Sequence, residues 1–96
     1  MIVVGQSYQV VFNLVSNITG YNTAIIYGMD PTRTINTWIA TVDDPINGII
    51  HYDLSTNDNS INGNWIFWAE INFPDGSVWL SPSQKLRVFA IGELLT

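Results

Sequence analysis

The residues whose types and spacing could support catalysis are few. His51 is the single histidine of the chain and stands two residues before Asp53, so in an extended strand both side chains point to the same side. A His and an Asp together can transfer protons or hold a metal ion. No second His and no Ser or Cys nucleophile motif accompanies the pair. We therefore expect His51 to be a surface residue, and we predict no catalytic residue and no enzyme.

A second set of side chains carries oxygen atoms of the kind that calcium prefers, since Ca²⁺ takes six or more oxygen ligands. The set consists of Asp43, Asp44, Asp53, Asp58 and Asn59. These residues do not follow the spacing of a calcium-binding loop. Solvated turns explain them more simply, so we predict no metal and no cofactor.

The third set comprises the four tryptophans, a high number for 96 residues. Exposed rows of aromatic rings stack on sugars, so one hypothesis is a carbohydrate-binding module that attaches to host-surface glycans. Aromatic side chains also bury large areas in protein cores, and we expect Trp38, Trp65 and Trp79 to do so. Trp68 comes three residues after Trp65, so in a strand the two side chains point to opposite faces, and Trp68 is predicted to lie on the outer face.

The elements that must position these residues are strands. Residues 64–73 read NWIFWAEINF, a run dense in aromatic and β-branched residues with one wholly apolar side. Residues 49–54 alternate so that Ile50, Tyr52 and Leu54 face the core. Further strands are predicted over residues 6–15, 22–29, 34–42, 78–80 and 84–91. For residues 34–42 the pattern leaves open which side is buried.

Turn signals separate these strands about every ten residues, and no segment has the apolar spacing of a helix. Pro74-Asp75-Gly76 and Asn47-Gly48 predict tight turns, and the polar residues 55–64 predict a loop crossing between layers. About seven strands in about 100 residues are typical of an immunoglobulin-like antiparallel β-sandwich. We predict one such domain over residues 1–96, with a small β-barrel as the alternative.

Composition excludes several kinds of partner. Three basic residues stand against eight acidic ones, and the net charge of −5 opposes binding to nucleic acid. The chain has no Cys and no apolar run of about 18 residues, so we expect neither a disulfide framework nor a membrane span. The first residues, MIVVGQSY, lack the charged and apolar regions of a signal peptide.

Short turn and core motifs follow one another in a characteristic order along nearly the whole chain. They are Gly5-Gln6-Ser7-Tyr8, Asn17-Ile18-Thr19-Gly20, Asp30-Pro31, Asp43-Asp44, residues 47–54 (NGIIHYDL), Gly63-Asn64-Trp65 and Asp75-Gly76. This order resembles the immunoglobulin-like modules of bacteriophage structural proteins, such as the N-terminal domains of siphophage baseplate upper proteins. The resemblance departs at Asn17-Ile18, where Asp-Leu is commoner, and at Trp65, where Tyr is commoner.

The resemblance implies a subunit of the virion, assembled in the cytoplasm of the bacterial host. A tail, baseplate or neck adaptor and a head decoration protein are all compatible with it. The implied partners are other virion proteins, or further copies of the chain in a ring or cap.

The same topology predicts where such contacts occur. In an immunoglobulin fold the aromatic and C-terminal strands pair in one sheet, which would gather Ile66, Trp68, Phe89 and Ile91 into an exposed apolar patch. Apolar patches of this kind commonly mark protein interfaces. We therefore expect a non-enzymatic structural protein that works by burying this patch against a partner.

Overall fold

The computed structural model describes residues 2–3, 8–55 and 61–89. Over these ranges the chain is all-β, as predicted, and no helix there is long and apolar enough to cross a membrane. The strands are β1 Ile2–Val3, β2 Tyr8–Asn13, β3 Thr23–Met29, β4 Ile35–Ile39, β5 Thr41–Asp44, β6 Ile49–Leu54, β7 Gly63–Asn72, β8 Val78–Leu80 and β9 Gln84–Phe89.

The strands form two sheets that pack as a sandwich. The larger sheet has the order β1-β9-β7-β3-β4, with β8 also paired to β7, and the smaller sheet has the order β2-β6-β5. Every pair is antiparallel except β1 with β9. In immunoglobulin lettering, β2-β6-β5 correspond to strands B-E-D, and β9-β7-β3-β4 correspond to G-F-C-C′. The predicted immunoglobulin-like sandwich is confirmed, including the pairing of the aromatic strand with the C-terminal strand.

The core lies between the sheets and follows the predicted alternation. On β7, Trp65, Phe67, Ala69 and Ile71 are all buried. The smaller sheet contributes buried side chains from β2 and β6: Val10, Phe12, Ile50 and Leu54. Tyr52, predicted to face the core, is half-buried and packs against it.

The tryptophans predicted to be in the core differ in depth. Trp65 is buried, and its indole Nε1 donates a hydrogen bond to the Ile61 carbonyl oxygen at 2.9 Å. Trp38 and Trp79 are half-buried and pack against the core from its border. The ring of Trp38 stacks on Tyr52 with ring centroids 5.2 Å apart, so it links the two sheets.

Residues 34–42, predicted as one strand, form parts of two strands. Ala40 still donates its N–H to the Ala24 carbonyl oxygen at 2.9 Å, as part of the larger sheet, whereas Thr41 pairs with His51 of the smaller sheet. The chain therefore changes sheets between these residues, and β5 continues through Asp44, which the sequence assigned to a turn. No Gly or Pro marks the crossing, which explains why the sequence did not reveal it.

Two hairpins in the larger sheet share one turn design. Between β7 and β8, the Gly76 N–H donates to the Phe73 carbonyl and the Phe73 N–H donates to the Ser77 carbonyl, both at 3.0 Å. Gly76 has a φ of 90°, in the left-handed region. A type I turn followed by a left-handed residue is the usual three-residue hairpin, and glycine is favoured at the left-handed position.

The β3–β4 hairpin repeats this arrangement with a different residue at the left-handed position. The Arg33 N–H donates to the Asp30 carbonyl at 2.9 Å, and the Asp30 N–H donates to the Thr34 carbonyl at 3.0 Å. Arg33 therefore stands where the other hairpin has Gly76, and its φ is 69°. A side chain in this conformation is strained, so this turn contains a residue that its backbone does not favour.

Candidate functional site

The side of the larger sheet that faces away from the smaller sheet is called the outer face. Side chains on this side alternate along each strand with those of the core. The strand registers place the following residues on it: Thr23, Ile25, Tyr27, Met29, Ile35, Thr37, Ile39, Asn64, Ile66, Trp68, Glu70, Asn72, Val78, Leu80, Lys85 and Arg87.

A stacked aromatic pair lies at the centre of the outer face. Tyr27 of β3 and Trp68 of β7 are directly opposite in the register, and their rings stack with centroids 5.4 Å apart and planes 8° from parallel. The Tyr27 hydroxyl donates a hydrogen bond to Glu70 Oε2 at 2.6 Å. This bond, then burial and the negative charge of Glu70 raise the pKa of Tyr27, which keeps its hydroxyl protonated as the donor. The pair is thus held in a fixed orientation.

Aliphatic side chains extend the apolar surface from this pair to the sheet edge. Met29 of β3 pairs with Ile66 on one side and with Ile35 on the other, and Ile25 pairs with Ile39. Ile35 is 54% exposed and Ile39 is 73% exposed. The row Ile66–Met29–Ile35 thus carries apolar side chains across β7, β3 and β4, and Thr37 separates Ile35 from Ile39 along β4.

The opposite border of the outer face is basic. In the pairing of β7 with β9, Lys85 lies opposite Ile66 and Arg87 lies opposite Asn64. Two of the three basic residues of the chain therefore lie on this border, the third being Arg33.

The four residues of the predicted interface are placed as follows. Ile66 and Trp68 both lie on the outer face and are half-buried. Phe89 is the last residue of β9, beyond Arg87, and Ile91 lies outside the described residues. The apolar surface around Ile66 and Trp68 extends towards β3 and β4, the side on which the sequence predicted no patch.

Sequence reasoning did not find Tyr27, Ile35 and Ile39 as parts of this surface. Tyr27 joins Trp68 only through the register of β3 on β7, which no local pattern specifies. Ile35 and Ile39 alternate with Trp38, and the sequence left open which of the two sides is buried. The size of the Trp38 ring was an available signal, because a large aromatic side chain favours the core side.

His51 lies on the side of the smaller sheet that faces away from the core. Its Nδ1 is 2.5 Å from Asp43 Oδ2, and its Nε2 is 3.8 Å from Asp53 Oδ2. Asp53 Oδ1 also accepts a hydrogen bond from Gln9 Nε2 at 3.1 Å. The carboxylates thus lie on opposite sides of the imidazole, at the surface, where Asp53 is 72% exposed.

The described acidic residues considered as possible calcium ligands contact different groups of the protein. Asp44 accepts hydrogen bonds within its own turn, from the Asn47 side chain at 2.7 Å and from the Ile46 and Asn47 N–H groups at 3.2 Å. These bonds, led by that of the Asn47 side chain, hold the pKa of Asp44 below its usual value. Asp58 and Asn59 lie outside the described residues. Within the described ranges, no cluster of three or more His, Asp or Glu side chains is arranged to hold a metal ion.

Comparisons of the chain with protein-family models, with curated proteins and with solved structures found no match. The fold itself defines the class, an immunoglobulin-like β-sandwich. Its distinguishing feature is a sheet face that is apolar and aromatic at its centre and basic along one border.

Proposed function

We propose that the chain is a non-enzymatic structural subunit of a bacteriophage virion and that it binds a neighbouring virion protein through the outer face. The proposal rests on the apolar surface built around Tyr27 and Trp68 and extended by Ile66, Ile35 and Ile39. The order of turn and core motifs, which resembles phage structural modules, supports the virion setting.

The composition of the outer face suits a protein partner. Interface cores are enriched in Tyr, Trp and Met and depleted in Lys and Glu. On β3, β4 and β7 the described outer-face residues include Tyr27, Trp68 and Met29, with Glu70 as the single charged side chain. Glu70 already accepts the hydrogen bond of Tyr27, so its charge has a partner within the sheet.

The geometry of the aromatic pair favours a protein partner over a glycan. Sugar binding uses a free aromatic face with polar groups directed at the sugar. Here the rings of Tyr27 and Trp68 cover one face of each other, and the Tyr27 hydroxyl is engaged by Glu70. A protein partner requires only a complementary apolar surface, which the neighbouring aliphatic side chains enlarge.

The basic border favours one orientation of the bound partner. Lys85 and Arg87 lie along β9, beside the apolar centre. A partner with acidic side chains opposite β9 would meet charges of opposite sign there, which aids association and fixes orientation. The partner proposed is therefore a protein with an apolar centre and an acidic margin.

Truncation of Trp68 tests this function. Trp68→Ala removes the largest outer-face side chain, and loss of a tryptophan hot spot of about 2 kcal/mol weakens binding roughly 30-fold. We expect a phage carrying this variant to have far fewer copies of the chain per purified particle, measured by quantitative mass spectrometry. Val11→Ala is the matched control, because Val11 is an exposed apolar residue of the smaller sheet, and thermal melts establish that both variants fold.

Several results would contradict the proposal. Absence of the wild-type chain from purified particles would exclude the virion role. Equal incorporation of the Trp68 and Val11 variants would exclude the outer face as the binding surface. Binding of the wild-type chain to a glycan panel, lost in Trp68→Ala while incorporation stays normal, would favour the carbohydrate-binding alternative.

A further inference from the structure

The edge of the larger sheet formed by β4 has backbone groups directed away from the molecule. β4 is the last strand in the order β1-β9-β7-β3-β4, so it pairs with β3 on one side. In the part of the chain that the structure describes, no strand pairs with its other side. Such an edge is a template for an additional strand.

The hydrogen bonds at the two ends of the β3–β4 ladder identify which backbone groups are directed outward. Ala40 donates to the Ala24 carbonyl at one end, and Asp30 donates to the Thr34 carbonyl at the other. Antiparallel ladders alternate between hydrogen-bonded and non-hydrogen-bonded pairs. With this register, the backbone groups of Asn36 and Trp38 point to β3, and those of Ile35, Thr37 and Ile39 point to the free side.

β4 lacks three of the features that usually prevent edge strands from pairing, namely charges, prolines and bulges. Natural edges are protected by charges, prolines, bulges or short length. Residues 34–42, TINTWIATV, contain no charged residue and no proline. By contrast, β5 has an irregularity between Val42 and Asp44, and on β2 the Val11 carbonyl accepts a hydrogen bond from Gln84 Nε2 at 3.5 Å. Among these edges, β4 is the unprotected one.

We propose that β4 pairs with β4 of a second copy of this chain, as antiparallel strands related by a two-fold axis at Thr37. In this register Ile35 lies opposite Ile39 of the second copy, and Thr37 lies opposite Thr37 of the second copy. These are the residues whose backbone groups point outward, so every pair exchanges both of its hydrogen bonds. The exposed Ile35 and Ile39 side chains gain aliphatic cross-strand partners.

The charges near β4 favour a second copy as the occupant. Each copy has a net charge of −5, which generally opposes self-association. Near this edge, however, Asp30 is buried at 6% exposure, and Glu70 lies on β7, beyond β3. The exposed Arg33 of the preceding turn lies four residues from Thr37, so the two copies of Arg33 lie at opposite ends of the paired strands. The two edges therefore meet without like charges in contact, and the strand is self-complementary about Thr37.

Pairing would join the two larger sheets into one continuous sheet with both outer faces on the same side. The contact between two five-residue strands is smaller than the roughly 800 Å² per partner of a standard interface. A dimer that dissociates on dilution is therefore expected. This contact uses the strand edge, so it does not depend on the proposed binding of a virion protein to the outer face.

Variants at Thr37 test the pairing. Thr37→Pro removes an N–H that points to the free side and leaves the hydrogen bonds to β3 in place, which edge strands tolerate. Thr37→Lys puts two like charges opposite each other at the axis. Thr37→Val, the matched control, keeps the N–H and the β-branched shape. Sedimentation equilibrium over a hundredfold dilution should give equal dimer Kd values for wild type and Thr37→Val. The Kd values of Thr37→Pro and Thr37→Lys should be at least tenfold higher.

Amide hydrogen exchange gives a second readout without substitution. The N–H groups of Ile35, Thr37 and Ile39 should exchange more slowly as the concentration of the wild-type chain rises, while the Val11 N–H on the β2 edge should not change. A chain that stays monomeric throughout, a dimer unaffected by Thr37→Lys in a folded protein, or the lack of protection at these amides would each overturn the pairing. Incorporation of the Trp68 variant into particles is measured separately, so failure of one proposal is distinguishable from failure of the other.

Discussion

Asp30 shows how one buried carboxylate supports the turn beside the free edge. Its Oδ1 accepts hydrogen bonds from the Thr32 N–H at 2.9 Å, the Thr32 hydroxyl at 2.5 Å and the Thr34 N–H at 3.1 Å. Burial by itself raises the pKa of Asp30. The hydrogen bonds from Thr32, Thr34 and Asn36 together outweigh burial and hold the pKa below its usual value.

This direction of the pKa predicts a loss of stability in acid. Because the folded pKa lies below the unfolded value of about 3.9, the charged carboxylate stabilises the fold above that value, and its contribution is lost as the pH falls through the folded pKa. We expect the free energy of unfolding of Asp30→Asn to fall less steeply than that of wild type between about pH 5 and pH 2. Urea denaturation at a series of pH values measures this slope. Equal slopes in the two proteins would contradict the role assigned to Asp30.

The chemistry of single residues was only partly predictable. The placement of Trp65 and Ile50 in the core followed from alternation, which is a local property of the strand. The hydrogen bond from Tyr27 to Glu70 depends on how β3 aligns with β7, and that alignment is set by tertiary packing. The apolar centre of the outer face could therefore be predicted at Ile66 and Trp68, but its extension over β3 and β4 could not.

At the scale of elements, the two matched hairpins give a prediction about backbone strain. A non-glycine residue in the left-handed region lowers the free energy of unfolding by about 1–2 kcal/mol. A glycine lowers it by about 0.5–1 kcal/mol, because a glycine loses more conformational entropy on folding. Arg33→Gly should therefore raise the free energy of unfolding by about 0.5–1 kcal/mol, and Gly76→Ala should lower it by a similar amount. Chemical denaturation measures both changes.

The two hairpins serve as controls for each other. Apart from Gly76 and its two chain neighbours, no heavy atom of the described residues lies within 4 Å of a Cβ built on Gly76, so the effect of Gly76→Ala reports backbone conformation without a steric clash. If Arg33→Gly instead lowered the stability, the Arg33 side chain would have to contribute more than the strain costs. That result would contradict the account of this turn.

The elements that the sequence predicted well are those bounded by turn residues. Pro74-Asp75-Gly76 separates β7 from β8, and Asn47-Gly48 precedes β6, as expected from their turn chemistry. The division of residues 34–42 at Ala40 had no such marker, since β-branched residues suit either sheet. β1 was missed because two residues cannot show an alternation, and its pairing with β9 is non-local.

At the scale of the whole molecule, the two outward sheet sides differ in character. The smaller sheet presents His51 with Asp43 and Asp53, whereas the outer face presents Tyr27 and Trp68 among aliphatic residues. A subunit with one polar side and one apolar side has a preferred orientation in an assembly, since burial of apolar surface stabilises the complex. This asymmetry supports the proposed binding of a partner through the outer face.

The measurement that tests the central claim most directly is hydroxyl-radical footprinting of the wild-type chain, free at low concentration and within purified phage particles. Mass spectrometry quantifies oxidation at each residue. If the outer face binds a virion protein, Tyr27 and Trp68 will be protected in particles, while Val11 and His51 on the smaller sheet will be oxidised as in the free chain. Equal oxidation of Tyr27 and Trp68 in both samples, or protection confined to the smaller sheet, would contradict the account.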